Sequence, residues 1–315
     1  MTSEDRREAA RRLGVRLGRL IDEPEAFANV ALRGLGRLAE PAYRAELARV
    51  NPGGRAALGV RLPLIAEIER GLVPVLRDAS PASALYVAER LSRGEWQELR
   101  FLTHALLRHS IERDPERSWQ LIRRLANGAD DWISVDHLAA LVAVGILFEP
   151  FRWSELEQLV YSPQPFERRL VGATVATIPF LVVREDRPGL SASPGLALVE
   201  QLMGDAHPQV QKALAWALRS WRGVDAAGVE DALRREAGVA IATRDGHRAW
   251  VVRASLTAQP ASVQADLRSA LSGLRRRRDA PSTSRATEVA LAFGAPPASG
   301  DIVALSGERM GSFAR

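Results

Sequence analysis

No cysteine occurs among the 315 residues, so disulfides, thiolate nucleophiles and cysteine-held zinc are excluded. Lysine is almost absent as well: of the 43 basic residues only Lys212 is one, and the others are arginines. A Walker-type phosphate loop needs a lysine after a glycine-rich turn. Lys212 stands in VQKALAW with no such turn before it, which removes that mode of nucleotide hydrolysis. The five histidines are scattered and lack HExxH spacing, so neither a metal nor a cofactor is expected. Long apolar runs are also missing. The longest, Leu138 to Phe148, is about half of the roughly 20 residues a membrane span needs, and the opening MTSEDRREAARR is charged throughout. A monomeric cytoplasmic protein with no membrane partner is the expectation. No segment alternates with period two, which leaves little room for strands.

What the chain does have is arginine. A net charge of +5 and a sequence pI near 10.4 favour a polyanionic partner, because guanidinium groups pair bidentately with phosphates and release counterions. Solvated arginine-rich faces give the same composition, so charge alone does not decide it. The 46% hydrophobic content is enough for a sizeable core.

Helix punctuation recurs. Ser80-Pro81, Asp114-Pro115, Ser193-Pro194 and His207-Pro208 each precede an apolar-periodic stretch, as a cap followed by a first-turn proline does, and Gly128, Gly204, Gly223 and Gly238 stand where such stretches stop. The pattern predicts helices over 4–20, 25–38, 40–50, 62–77, 82–93, 95–112, 115–127, 131–148, 153–161, 165–183, 195–204, 208–222, 225–237, 245–257 and 260–275. Many helices of this length on short turns point to an all-α solenoid of stacked pairs over residues 1–278, with a compact bundle as the alternative. Residues 279–315, rich in Ala, Ser, Pro, Gly and Arg, are expected to form a mostly disordered tail. The run Arg275 to Arg278 before it suits a solvated helix end or an added phosphate contact.

Three segments carry candidate chemistry. In HPQVQKALAWALRSWRG, helical geometry puts Val210, Ala213, Leu214, Ala217, Leu218 and Trp221 on one core-facing stripe. Trp216 projects roughly 120° away, towards Lys212 and Arg219. An indole beside two cations fits a ligand with a sugar or aromatic surface and phosphates; packing against a neighbouring repeat is the other reading. In ADDWISVDHLAALVAVGILF, Trp132 and Asp136 lie four apart on one helix face at the mouth of an apolar segment. A carboxylate there needs a cationic partner, either an arginine of a neighbouring helix or a ligand. In SPQPFERRLVGATV, Arg168 and Arg169 stand at a helix start, where they oppose the macrodipole. A phosphate would explain them, and so would simple solvation.

In this order the three segments resemble the AlkD-like DNA glycosylases. DDWISVD is similar to that family's Trp-x-x-x-Asp motif, SPQPFERR to its Ser-Asp-x-x-Trp-x-x-Arg segment with Phe166 where the family commonly has Trp, and VQKALAWALRSW to its V-Q-K-A-I-G-W-x-L-R-E-Y segment. GVRLPLIAEI, from Gly59, resembles its early Gly-Val-x-x-Pro segment, and the likeness covers roughly residues 40–240. The resemblance implies a HEAT-like solenoid with a concave basic face that binds duplex DNA carrying alkylated bases. It implies Asp136 as catalytic carboxylate, Trp132 and Trp216 as aromatic walls, and Arg169 and Lys212 at phosphates, with Arg168 and Arg219 beside them. Cationic N3- or N7-alkylated purines are the implied substrates. Two rivals remain: a helical-repeat scaffold without chemistry, and a resistance glycosylase for one bulky natural-product adduct.

Overall fold

The computed structural model describes residues 2–277, 280 and 282–294. Among them every regular element is helical: α1 (Ser3–Gly18), α2 (Pro24–Leu38), α3 (Pro41–Val50), α4 (Leu62–Asp78), α5 (Pro81–Ser92), α6 (Gln97–Ser110), α7 (Pro115–Asn127), α8 (Trp132–Phe148), α9 (Trp153–Leu159), α10 (Pro165–Leu181), α11 (Ser193–Leu202), α12 (Pro208–Trp221), α13 (Ala226–Thr243), α14 (Gly246–Ser255), α15 (Ala261–Ala270) and α16 (Arg285–Gly294). Their starts follow local chemistry. Ser80, Asp114, Asp131, Asp225 and Asp245 each accept a backbone N–H of the first turn, and prolines that need no donor open α5, α7, α10 and α12. At α11 the cap falls on Ala192, one residue before the expected Ser193.

The helices pack in two rows. α1, α4, α6, α8, α10, α12 and α14 lie against one another in that order, while α2, α5, α7, α11, α13 and α15 cover one side of them. Leu102, Leu106, Ile122, Leu138, Val171, Leu214 and Leu233 fill the space between and are almost fully buried. Each such side chain contributes roughly 1.5–3 kcal/mol by leaving water. α8 packs against α6, α7 and α10, which accounts for its buried apolar residues after His137, while Leu147 and Phe148 at its end stay exposed. α1 and α4 touch backbone to backbone at Gly14 and Gly71, where a Cβ on either would collide with a carbonyl of the opposite helix.

Two expectations are corrected. α13 runs to Thr243, past the stop read at Gly238; a Cβ there would meet nothing, and burial of Ala237 and Ala240 outweighs the ~1 kcal/mol that glycine costs a helix. The stop is Arg244, in the left-handed region at φ 54°. The segment expected to be disordered from residue 279 folds back in its described part. Ser282 and Ser284 donate to the carbonyls of Gly204 and Gln201, each at 3.0 Å, Thr283 pairs with Asp245, and α16 packs on α11. Small polar side chains bind the carbonyls left open at the end of a helix, which needs little apolar surface. Residues 278, 279, 281 and 295–315, including Arg278 and the rest of the expected tail, lie outside the described residues.

Candidate active site

Asp131 fixes the first turn of α8. Its buried carboxylate accepts from the Ser134 N–H at 2.9 Å and the Ser134 hydroxyl at 2.6 Å, so Trp132 and Asp136 present a common face. α10 brings Arg169 to that face. Arg169 Nε donates to Asp136 Oδ1 at 3.0 Å, and Nη2 donates to Oδ1 at 2.8 Å and Oδ2 at 2.7 Å. Its Cζ lies 5.9 Å from the Trp132 ring centre, and its Nη1 reaches the Gln209 carbonyl of α12 at 2.7 Å. The Arg169 side chain is 5% exposed and that of Asp136 21%, so the guanidinium is enclosed while the carboxylate keeps an open side. Burial pushes the Asp136 carboxyl above its ordinary value, and the Arg169 charge opposes that rise.

Gln209, Lys212, Trp216 and Arg219 recur at i, i+3, i+7 and i+10 and share one face of α12. The Arg169–Gln209 bond joins Asp136 to one end of that face. Trp216 is half-buried, about 10 Å further along at two helical turns. Lys212 is exposed, with no carboxylate in ion-pair reach among the described residues. Arg219 is half-buried, donates to the Ala254 carbonyl at 2.8 Å, and has its pKa lowered by burial. Arg168 does not reach the surface. Its Nε donates to buried Asp205 at 2.7 Å and its Nη1 to the carbonyls of Ser162 at 2.8 Å and Pro163 at 3.1 Å. The expected phosphate contact of Arg168 thus gives way to an internal ion pair.

A cleft of about 370 Å³ adjoins Asp136, between α4, α6 and α8, with Ile65, Phe101, Ala105 and Leu141 as apolar walls. His104 and His137 stack along it with centroids 6.1 Å apart. His137 Nδ1 lies 2.9 Å from the Ile133 carbonyl, which only accepts, so in the neutral ring Nδ1 is assigned the hydrogen and Nε2 is left as an acceptor. Burial, then the neighbouring His137 and Arg100, drives the His104 pKa down to about 3. Among the described residues no three His, Asp or Glu gather as a metal site would require.

The model of a family described as DNA alkylation repair enzyme matches residues 31–258, from within α2 to just beyond α14. The chain belongs to this family. Comparison with curated proteins and with solved structures gives no match. All seven side chains singled out in the sequence lie inside the segment matched by the DNA alkylation repair family, and α1 lies outside it. Of those seven, the structure joins Trp132, Asp136 and Arg169 directly. Gln209, the residue that ties this group to α12, was missed, as were His104 and His137. For Gln209 a signal was present: it stands three residues before Lys212 on the stripe that leads to Trp216. The histidines, 33 residues apart on α6 and α8, carry none. No helix among the described residues is long and apolar enough to cross a membrane.

Proposed function

We propose that this member of the DNA alkylation repair family is a monofunctional DNA glycosylase that excises cationic N3- or N7-alkylated purines from duplex DNA. Its helices form a HEAT-like solenoid, and the row containing α8, α10 and α12 is its concave basic face. The carrying observation is the Asp136 carboxylate, paired with Arg169, flanked by Trp132 and open on one side. An alkylated cationic purine needs no general acid: when the C1′–N bond breaks, its electron pair neutralises the departing base and leaves positive charge on the deoxyribose. A fixed carboxylate and indole faces offer negative potential where that charge develops. Water then adds at C1′ and loses a proton to solvent or, through a hydrogen bond, to Asp136. Arg169, enclosed and bidentate, acts as a positioning residue that holds the carboxylate in place; Trp216 supplies the second wall and Lys212 a phosphate contact. Neutral lesions such as uracil lack the built-in leaving group and are poor substrates.

Strand-cleaving glycosylases attack the sugar with an amine. Lys212 is the only side-chain amine in the sequence, and in this reading it is engaged with a phosphate and does not attack C1′, so the product is an intact abasic site. The protein acts as a monomer in the cytoplasm without metal or cofactor. The scaffold reading keeps one observation in its favour, since the Asp136–Arg169 pair also satisfies itself as a structural ion pair. Chromatography of bases released from methylated duplex decides between them. Release of 7-methylguanine or 3-methyladenine is expected, and no release of any cationic base above the spontaneous rate moves the protein to the scaffold class.

A further inference from the structure

The N-terminal hairpin carries a charged furrow. Arg16 and Arg19 at the end of α1 line a cavity of about 450 Å³ with Asn29 and Arg33 of α2, and an adjoining cavity of about 250 Å³ is lined by Arg12, Arg16 and Arg37. All five arginines are exposed. Among the described residues only Arg12 of the five has an ion-pair partner, Glu8 at 3.4 Å. Elsewhere in the fold Arg90, Arg123, Arg152, Arg234 and Arg235 each meet a carboxylate of another helix, while exposed arginines such as Arg49, Arg77 and Arg268 have none among the described residues but line neither of these cavities. Arg12 and Arg16 are one helical turn apart, as are Arg33 and Arg37, so the furrow presents two short ladders of cations about 5–6 Å in step. Completing the last turns of α1 and α2 accounts for Arg16 and Arg37 but not for Arg12 or Arg33, which stand inside their helices.

We infer that this furrow, formed by α1 outside the family match and by α2 at its start, is a second contact for the sugar-phosphate backbone of duplex DNA. The inference rests on the DNA-binding part of the proposed function and not on excision. α1 is fixed to α4 at the Gly14–Gly71 contact, so the furrow holds a set position at the end of the row that carries Asp136. Three helix steps of about 9–10 Å separate α1 from α8. That distance is about nine base pairs of duplex at 3.4 Å each.

The test is anisotropy titration of the full chain with undamaged duplex DNA over a range of salt, comparing wild type with Arg16→Gln/Arg33→Gln and with Arg7→Gln/Arg11→Gln. The second pair removes the same charge from α1 positions that do not line the furrow. On a duplex of about 30 base pairs the furrow variant should lose roughly 2 from the magnitude of the log–log salt slope, about 0.9 for each phosphate contact, while the other pair should not. On a hairpin duplex of about 5 base pairs, roughly 17 Å long and too short to reach from α8 to α1, the slopes should converge. Arg16→Lys/Arg33→Lys should restore the slope, and matched melting temperatures guard against unfolding. An unchanged slope on the long duplex overturns the inference. So does an equal loss in both Gln pairs, or a furrow variant that loses binding to phosphatidylglycerol vesicles while holding duplex as before. Because undamaged DNA is the probe, absence of base excision would refute the proposed activity and leave this result standing.

Discussion

Replacing Asp136 by Asn separates the two roles that its contact with Arg169 combines. The amide keeps one acceptor for the guanidinium but loses the charge, and Arg169 remains enclosed with the Gln209 carbonyl as its other partner. Breaking a fully buried pair costs about 3–5 kcal/mol; the open side of Asp136 and the residual amide oxygen reduce this to about 1–3 kcal/mol. The loss in excision should be larger, on the order of 100- to 1000-fold, if the carboxylate faces the charge developing on the sugar. Arg169→Gln added to Asp136→Asn removes the stranded cation and leaves two amides that can pair. The double variant should therefore recover at least half of the lost stability, a coupling of about 0.5–3 kcal/mol, without recovering excision. Denaturant midpoints give the first quantity and single-turnover rates on methylated duplex the second. Recovery of both together would refute the catalytic assignment and leave a purely structural ion pair.

Lys212→Ala should weaken binding to duplexes of unrelated sequence by a similar factor and reduce the salt slope by roughly 1; an unchanged slope would deny it a phosphate. Trp216→Ala should slow single-turnover excision more than it lowers the melting temperature, and the reverse order returns the indole to packing. Arg168→Gln takes the guanidinium from buried Asp205, which keeps the His207 N–H at 2.8 Å, and should cost about 1–3 kcal/mol in chemical denaturation, below the roughly 3–5 kcal/mol of a fully stranded charge, with the salt slope of the folded protein intact. For His104 the folded ring binds its proton only near pH 3 and the unfolded ring near 6.5, so the unfolded state holds more protons between those values and stability falls as pH drops through that window. Relative to pH 7, wild type at about pH 4.5 should lose on the order of 2–3 kcal/mol more than His104→Gln, and equal losses would mean that His104 is not neutral when folded.

Helix positions were legible because their signals are local: a cap, a first-turn proline and a periodic apolar face lie within a few residues of one another. The six core-facing residues of α12 are nearly or fully buried, and Trp216 stands off that face. Pairings across helices were not legible. Arg168 and Arg169 are neighbours about 100° apart on a helix buried on every side from Arg168 to Pro179, so no periodicity tells which arginine meets Asp136 and which meets Asp205. The folded-back segment was missed for a related reason. Composition reports how much apolar surface a stretch can bury, and the contacts of Ser282, Thr283 and Ser284 are hydrogen bonds to chain ends supplied by distant helices.

Asp136 belongs to α8, but what holds it is a chain of bonds running through Arg169 of α10 to the Gln209 backbone of α12. The carboxylate is therefore a gauge of how successive helices are stacked. A slight change of pitch between α8 and α10 lengthens three hydrogen bonds from a single guanidinium before it exposes any leucine in the core. Substitutions that do not touch the carboxylate but alter this stacking, for instance at Gly172, where a Cβ would press on Ala213 of α12 at 3.0 Å, would register as altered excision in a protein that still melts cooperatively. Loss of activity on warming would likewise precede unfolding, and the temperature gap between them would measure how stiffly the row is stacked.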